Sequence, residues 1–217
     1  KGIAVMRFDF TGLAGSEGEF AYTNFSSNVE DLLCAAAHLK QAYEGPKIII
    51  GHSLGGAAVL MAAASIDSVE AVATIGAPAD PPHVKKLFQN SLTEIEETGF
   101  AKVFIGGRPF TIKKQFIDDL EQNDLANTIG KLKKPLIVFH SPQDTIVDIK
   151  NAEKIYQAAH HPKSYISLDK GDHLLSDKRD ALYVGEVIAA WADRYVNLLA
   201  DNDLETDHQV VVRNEDH

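Results

Sequence analysis

Ser53 stands in "IIIGHSLGGAAVLMAAA", the run from Ile48 to Ala64, with His52 and Leu54 at its sides and Gly51 and Gly55 two positions away. A β-branched run precedes it, and small and aliphatic helix formers follow. A GxSxG at a strand-to-helix junction is the pattern of a nucleophile elbow. The serine of such an elbow sits on a strained turn, so its neighbours two residues away must lack bulk. The turn lifts the hydroxyl above the sheet, and the following helix points its free N–H groups at the same spot. The Leu54 N–H is then placed to meet a developing oxyanion. The competing reading is a glycine-rich turn around an inert serine.

A serine hydroxyl needs a base, and the base needs an acid to orient it. Behind an elbow of this kind the chain order is Ser, then Asp or Glu, then His. "PLIVFHSPQDTIVD" supplies an apolar strand and a loop carrying Asp144, and "SYISLDKGDHLL" supplies a strand and a loop carrying His173. Both candidates follow late strands in the required order. Asp148, in the same loop as Asp144, is the fallback acid, though its place before Ile149 suits a helix cap. Asp172 reads as a surface residue or one supporting the site from behind, His52 as packing and His140 as structural. His160 and His161 end a helix, where imidazole suits the dipole. His38 and His83 read as helix-surface residues. No HExxH or CxxC spacing occurs, so neither a metal nor a cofactor is expected. Gly12, Gly15 and Gly18 form no dinucleotide fingerprint, because no helix opens on them.

Alternating strands and helices must hold these residues. "IAVMRFDF" (Ile3 to Phe8) reads as a buried strand, followed by a loop with three glycines. Ser26 or Ser27 can cap a helix running to about Tyr43, with Val29, Leu32, Leu33, Ala36 and Leu39 at helical spacing. "KIII", "VEAVATIG", "PLIVFH" and "SYISL" are strands, and a long helix closes the series from "DKRDALYV" onward. Several strands are continuous apolar runs, which indicates a mostly parallel α/β sheet with helices on both faces. Residues 83–132 interrupt the series between two core strands. They read as a cap excursion with helical pieces and a hairpin turning at Gly106-Gly107. Phe88, Phe100, Phe104, Phe110 and Phe116 could line an acyl pocket there, or merely pack the excursion onto the core.

The 217 residues carry a net charge of −10, which argues against nucleic acid and, more weakly, against anionic membranes. The single cysteine, Cys34, excludes an internal disulfide and favours a reducing, cytoplasmic setting. Its apolar surroundings suggest a buried small hydrophobe. No run reaches the ~18 apolar residues of a membrane span, and no signal peptide is visible. Lys1 leads almost directly into an apolar run, so an upstream segment is expected.

"GHSLGG", "SPQDTIVD" and "GDHLL" together resemble the alpha/beta-hydrolase family. More narrowly, "RFDFTGLAGSEGEF", "GHSLGGAAVL", "ATIGAPADP" and "HHPKSYISLDKGDHLLSDKRDA" resemble the hydrolase half of bacterial two-part proteins. In those, the hydrolase is followed by a peroxide-reducing domain of the OsmC type. The resemblance implies a hydrolase domain over residues 1–200 and a serine hydrolase triad of Ser53, Asp144 and His173. The tail, 201–217, would begin an OsmC-like domain with "HQVVVRNEDH". The resemblance also implies that "IAVMRFDF" is the fourth strand of the fold. The third strand, which would lie between it and "KIII", is missing ahead of Lys1, together with the loop that gives a second oxyanion N–H. About 60–90 further residues would supply them. Without them, either the fourth strand moves directly beside "KIII", or a second copy supplies a strand across a homodimer interface.

The function expected is cleavage of a carboxylic ester or thioester of a small-molecule acyl substrate, through an acyl-enzyme on Ser53. The alternative is a catalytically weak or inactive hydrolase-fold binding module fused to a peroxide-reducing domain. Peptidase or acyl-transfer activity is a further option, since a fold does not choose the leaving group.

Overall fold

The computed structural model describes residues 2–105 and 108–196. In chain order the elements are α1 (Phe25–Ala42), β1 (Ile48–His52), α2 (Leu54–Ala62), β2 (Ala71–Ile75) and a 3-10 stretch (Pro81–Ser91). Then come α3 (Leu92–Thr98), β3 (Phe100–Ile105), β4 (Arg108–Lys113), α4 (Lys114–Glu121) and α5 (Leu125–Lys131). The chain returns to the core with β5 (Leu136–His140), α6 (Lys150–Ala158), β6 (Lys163–Ser167) and α7 (Lys178–Ala192).

Four strands form one parallel sheet in the order β1-β2-β5-β6. Their carboxyl ends therefore share one rim, and the loops that leave β1, β5 and β6 meet there. β5 is buried at every position, as a continuous apolar strand covered on both faces must be. The sheet's alternating side chains feed two cores. Ile49, Val72, Leu136 and Val138 pack with α1, α2, α5 and α6 on one face. Ala73, Ile137 and Phe139 pack with Val184 and Ile188 of α7 on the other. Sheet and flanking helices agree with the expected fold class.

The expected strand at Ile3 to Phe8 does not form. Residues 2–10 have no regular structure, and Val5, Met6 and Phe8 are exposed. A strand needs a neighbour for its N–H and C=O groups. Among the described residues β1 pairs only with β2, so no ladder reaches the segment, and it does not move beside β1 either. The uncovered edge shows in β1 itself, where Ile50 is 49% exposed.

α1 starts two or three residues earlier than the serine cap implied. Asn24 is its N-cap: the Ser27 N–H donates to Asn24 Oδ1 at 2.7 Å, and the Asn24 N–H donates to Ser27 Oγ at 2.9 Å. This reciprocal box satisfies two orphan donors. The helix buries Phe25, Asn28, Leu32 and Ala36, and Cys34 lies off that stripe and is exposed, contrary to the buried setting expected for it.

The excursion is partly as expected. The region read as one helix from His83 is instead a 3-10 stretch broken at Phe88 (φ −129°, ψ 26°) and followed by α3. β3 and β4 do form an antiparallel hairpin, with Ile105 opposite Arg108. The expected turn at Gly106-Gly107 lies outside the described residues, as do the tail from Asp201 and its strand-like "QVVV". The excursion grips the first turn of α1, where the Ser26 N–H donates to Asp119 Oδ2 at 2.8 Å. Phe20, just before α1, meets Phe110 of β4 at 5.1 Å and Phe116 of α4 at 6.0 Å between ring centroids. Phe88 and Phe116 are buried in this packing, while Phe100 and Phe104 are exposed.

Candidate active site

Ser53 joins β1 to α2 with φ 54° and ψ −127°, a conformation that side chains other than glycine rarely adopt. Two close approaches make this turn possible. A Cβ at Gly51 would lie 2.2 Å from the Gly55 carbonyl oxygen, and one at Gly56 would lie 2.5 Å from the Ala77 Cβ. Gly55 is different: a Cβ there meets only a Phe10 ring carbon at 3.8 Å, an ordinary contact. The second position demanding glycine is therefore Gly56, not the Gly55 of the motif. Leu54 opens α2, so its N–H is a first-turn donor without an intrahelical acceptor.

The three expected residues come together at the sheet rim. The Ser53 hydroxyl donates to His173 Nε2 at 3.0 Å, and His173 Nδ1–H donates to Asp144 Oδ2 at 2.7 Å. The Asp144 side chain is almost fully buried, at 1% exposure, so its charge needs donors. The N–H groups of Ile146 and Val147 supply two to Oδ1, each at 2.9 Å. A loop that folds its own amides onto the carboxylate explains why Asp144 is held while Asp148 is not. Asp148 instead accepts from the Lys150 N–H at 2.8 Å at the start of α6.

The other candidates are also accounted for. Asp172 turns to the Ser176 N–H at 2.7 Å, and the Ser176 hydroxyl and N–H hold its carboxyl below the usual range. His38 is exposed on α1. His160 and His161 follow α6 rather than ending it. Among the described residues no cluster of His, Cys, Asp or Glu could hold a metal ion. No helix among them is long and apolar enough to cross a membrane.

Four residues that border the site are not legible as such in the sequence. His52, read as packing, donates Nε2–H to the His173 carbonyl at 2.6 Å and lays its ring 4.8 Å from the His173 ring. Burial of the His52 ring pushes its pKa down, even though the residue keeps open surface. His140, read as structural, lies behind Asp144. Gln143 Oε1 accepts from the Lys170 N–H at 2.7 Å, tying the acid's loop to the histidine's loop. Gly76, at φ 55°, leaves no room for a side chain: a Cβ would sit 3.3 Å from Asp144 Oδ2 and 3.4 Å from His173 Nδ1. Its only sequence signal is a glycine at the end of a strand.

A parallel sheet flanked by helices, with a serine at a strained strand-to-helix turn, is the alpha/beta-hydrolase architecture. The chain belongs to the alpha/beta-hydrolase family. It is 49% identical to the esterase domain of a Rhodothermus marinus protein, whose crystal structure it matches with a TM-score of 0.68 over 82% of this chain and 73% of that one. Mouse alpha/beta hydrolase domain-containing protein 10 matches with a TM-score of 0.71, at 27% identity over 87% of this chain and 77% of that one. A family profile described as serine aminopeptidase, S33, matches residues 1–104. Among curated proteins, the mitochondrial palmitoyl-protein thioesterase ABHD10 of Mus musculus is 29% identical over 186 residues, 82% of this chain and 62% of that protein. The chain thus spans about three fifths of the curated relatives it matches. These relatives include hydrolases of esters and thioesters.

Proposed function

We propose that this chain is a serine hydrolase that cleaves a carboxylic ester or thioester of a small acyl substrate. The observation that carries this reading is the unbroken hydrogen-bond line from Ser53 through His173 to Asp144. Ser53 Oγ attacks the acyl carbon as its proton passes to His173 Nε2, and the carbonyl oxygen becomes an oxyanion facing the Leu54 N–H. The tetrahedral adduct collapses, the carbon–oxygen or carbon–sulfur bond breaks, and His173 returns the proton to the departing alcohol or thiol. Water then repeats the cycle on the acyl-Ser53 ester. Asp144 keeps the proton on His173 Nδ1, so that Nε2 stays free to act as base, and stabilises the imidazolium that forms.

The 49%-identical esterase domain and the palmitoyl-protein thioesterase support ester and thioester substrates over amides. The serine aminopeptidase profile keeps peptides as the competing leaving-group class. A panel of p-nitrophenyl esters and acyl thioesters of increasing chain length, run beside aminoacyl anilides, separates them. Turnover of esters or thioesters that Ser53→Ala abolishes is the expected result. Turnover of anilides alone would assign a peptidase, and ligand-induced thermal stabilisation without any turnover would assign a binding module.

A further inference from the structure

His140 has no assigned role, yet it is fully buried directly behind the acid of the site. Its Nε2 lies 2.7 Å from the Val147 carbonyl oxygen and 3.6 Å from Asp144 Oδ2. A carbonyl oxygen only accepts, so Nε2 carries the hydrogen. The longer distance is beyond a hydrogen bond, so the N–H belongs to Val147 and the ring edge only borders the carboxylate. Val147 is itself one of the two residues whose N–H groups hold Asp144 Oδ1. The ring thus pins the carbonyl of a residue whose amide pins the acid. The other ring nitrogen, Nδ1, has no hydrogen-bond partner, and neither has Thr74 Oγ1. Thr74 pairs with Val138, two residues before His140, on the same sheet face. A buried imidazole is an expensive way to fill space where an apolar side chain would leave no such orphan.

We propose that His140 is a positioning residue. Through its Nε2–H it holds the Val147 carbonyl, and Val147 in turn holds Asp144 Oδ1, keeping Oδ2 aimed at His173. The proposal rests on Ser53, His173 and Asp144 working as a triad, and its test separates the two ideas. The enzyme's kcat/KM on the best p-nitrophenyl ester is measured in the full chain for His140→Gln and His140→Asn, each with Asp144 and with Asp144→Ala. A glutamine amide nitrogen reaches the place of Nε2, whereas an asparagine nitrogen reaches only that of Nδ1. The expected result is a loss of about tenfold in kcat, with KM little changed, for His140→Asn. His140→Gln should stay within about threefold of wild type, and in the Asp144→Ala background both variants should lose less than twofold. Equal losses with and without Asp144, or equal losses for Asn and Gln, would overturn the positioning role. Full ester turnover by Ser53→Ala would overturn the triad, and this proposal with it.

Discussion

The segment Ile3 to Phe8 and the strand β5 are similar in sequence and opposite in outcome. Each is a short, apolar, β-rich run, and each leads into a loop with glycine or proline. β5 is buried at every position between β2 and β6. Among the described residues Ile3 to Phe8 pairs with no strand, and Val5 is 81% exposed. Local preference is therefore the smaller part of strand formation. The larger part is a ladder on both edges and a core on both faces. The site residues lie on the paired side of this divide: their loops leave strands whose positions are fixed by register.

The acid's loop offers the largest contrast. Asp144→Asn should lower kcat by roughly 10³–10⁴, because an amide favours the wrong imidazole tautomer. Asp148→Asn should leave kcat within about threefold and cost less than ~1 kcal/mol, because the amide Oδ1 still accepts from the Lys150 N–H at the helix start. Steady-state kinetics and thermal melts of the two variants check this. Comparable kinetic losses would mean that Asp148 shares the acid's work.

The strand comparison itself is broken or sharpened by truncation. Phe139→Ala, in the middle of β5, should destabilise by about 3–5 kcal/mol. Val5→Ala in this chain should change stability by less than ~0.5 kcal/mol. Denaturant melts read both. A loss above ~1 kcal/mol at Val5 would show that the front segment packs on something after all.

A comparable contrast is expected at the elbow. Gly51→Ala should cost at least about 3 kcal/mol and remove activity, since its Cβ meets backbone that cannot yield. Gly55→Ala should cost less than ~1 kcal/mol, because only a side-chain ring stands near it. If Gly55→Ala proves the worse of the two, the packing at the turn differs from the structure.

The smallest effect concerns pH. His52 titrates below its ordinary value because its ring is buried. The unfolded chain then binds the proton more readily. His52 thus contributes stability that is present above about pH 6.5 and is lost as the pH falls through its lower folded value. Melting temperatures from pH 8 to pH 5 should fall slightly more steeply for wild type than for His52→Asn. Identical slopes would show that the ring is not desolvated.

What the sequence made legible follows the same divide. That Ser53, Asp144 and His173 meet could be read because the elbow pattern sets particular residue types at strand ends, in a fixed chain order. The parallel sheet could be read because apolar runs alternate with helical spacing. His52, Gln143 and Gly76 could not, because their roles depend on which loops the register brings together. His140 looked like the last residue of a strand, which it is. The Asn24 cap was hidden by two serines that fit the same rule, and the exposure of Cys34 by an apolar neighbourhood that faces two ways.

The central claim is that Ser53 is an activated nucleophile. Its most direct measurement is labelling of the folded chain with a fluorophosphonate, followed by mass mapping of the adduct. The account predicts one adduct per chain, on Ser53, absent in Ser53→Ala and formed far more slowly in Asp144→Asn. A folded chain that takes no label, or takes it on another residue, would contradict it.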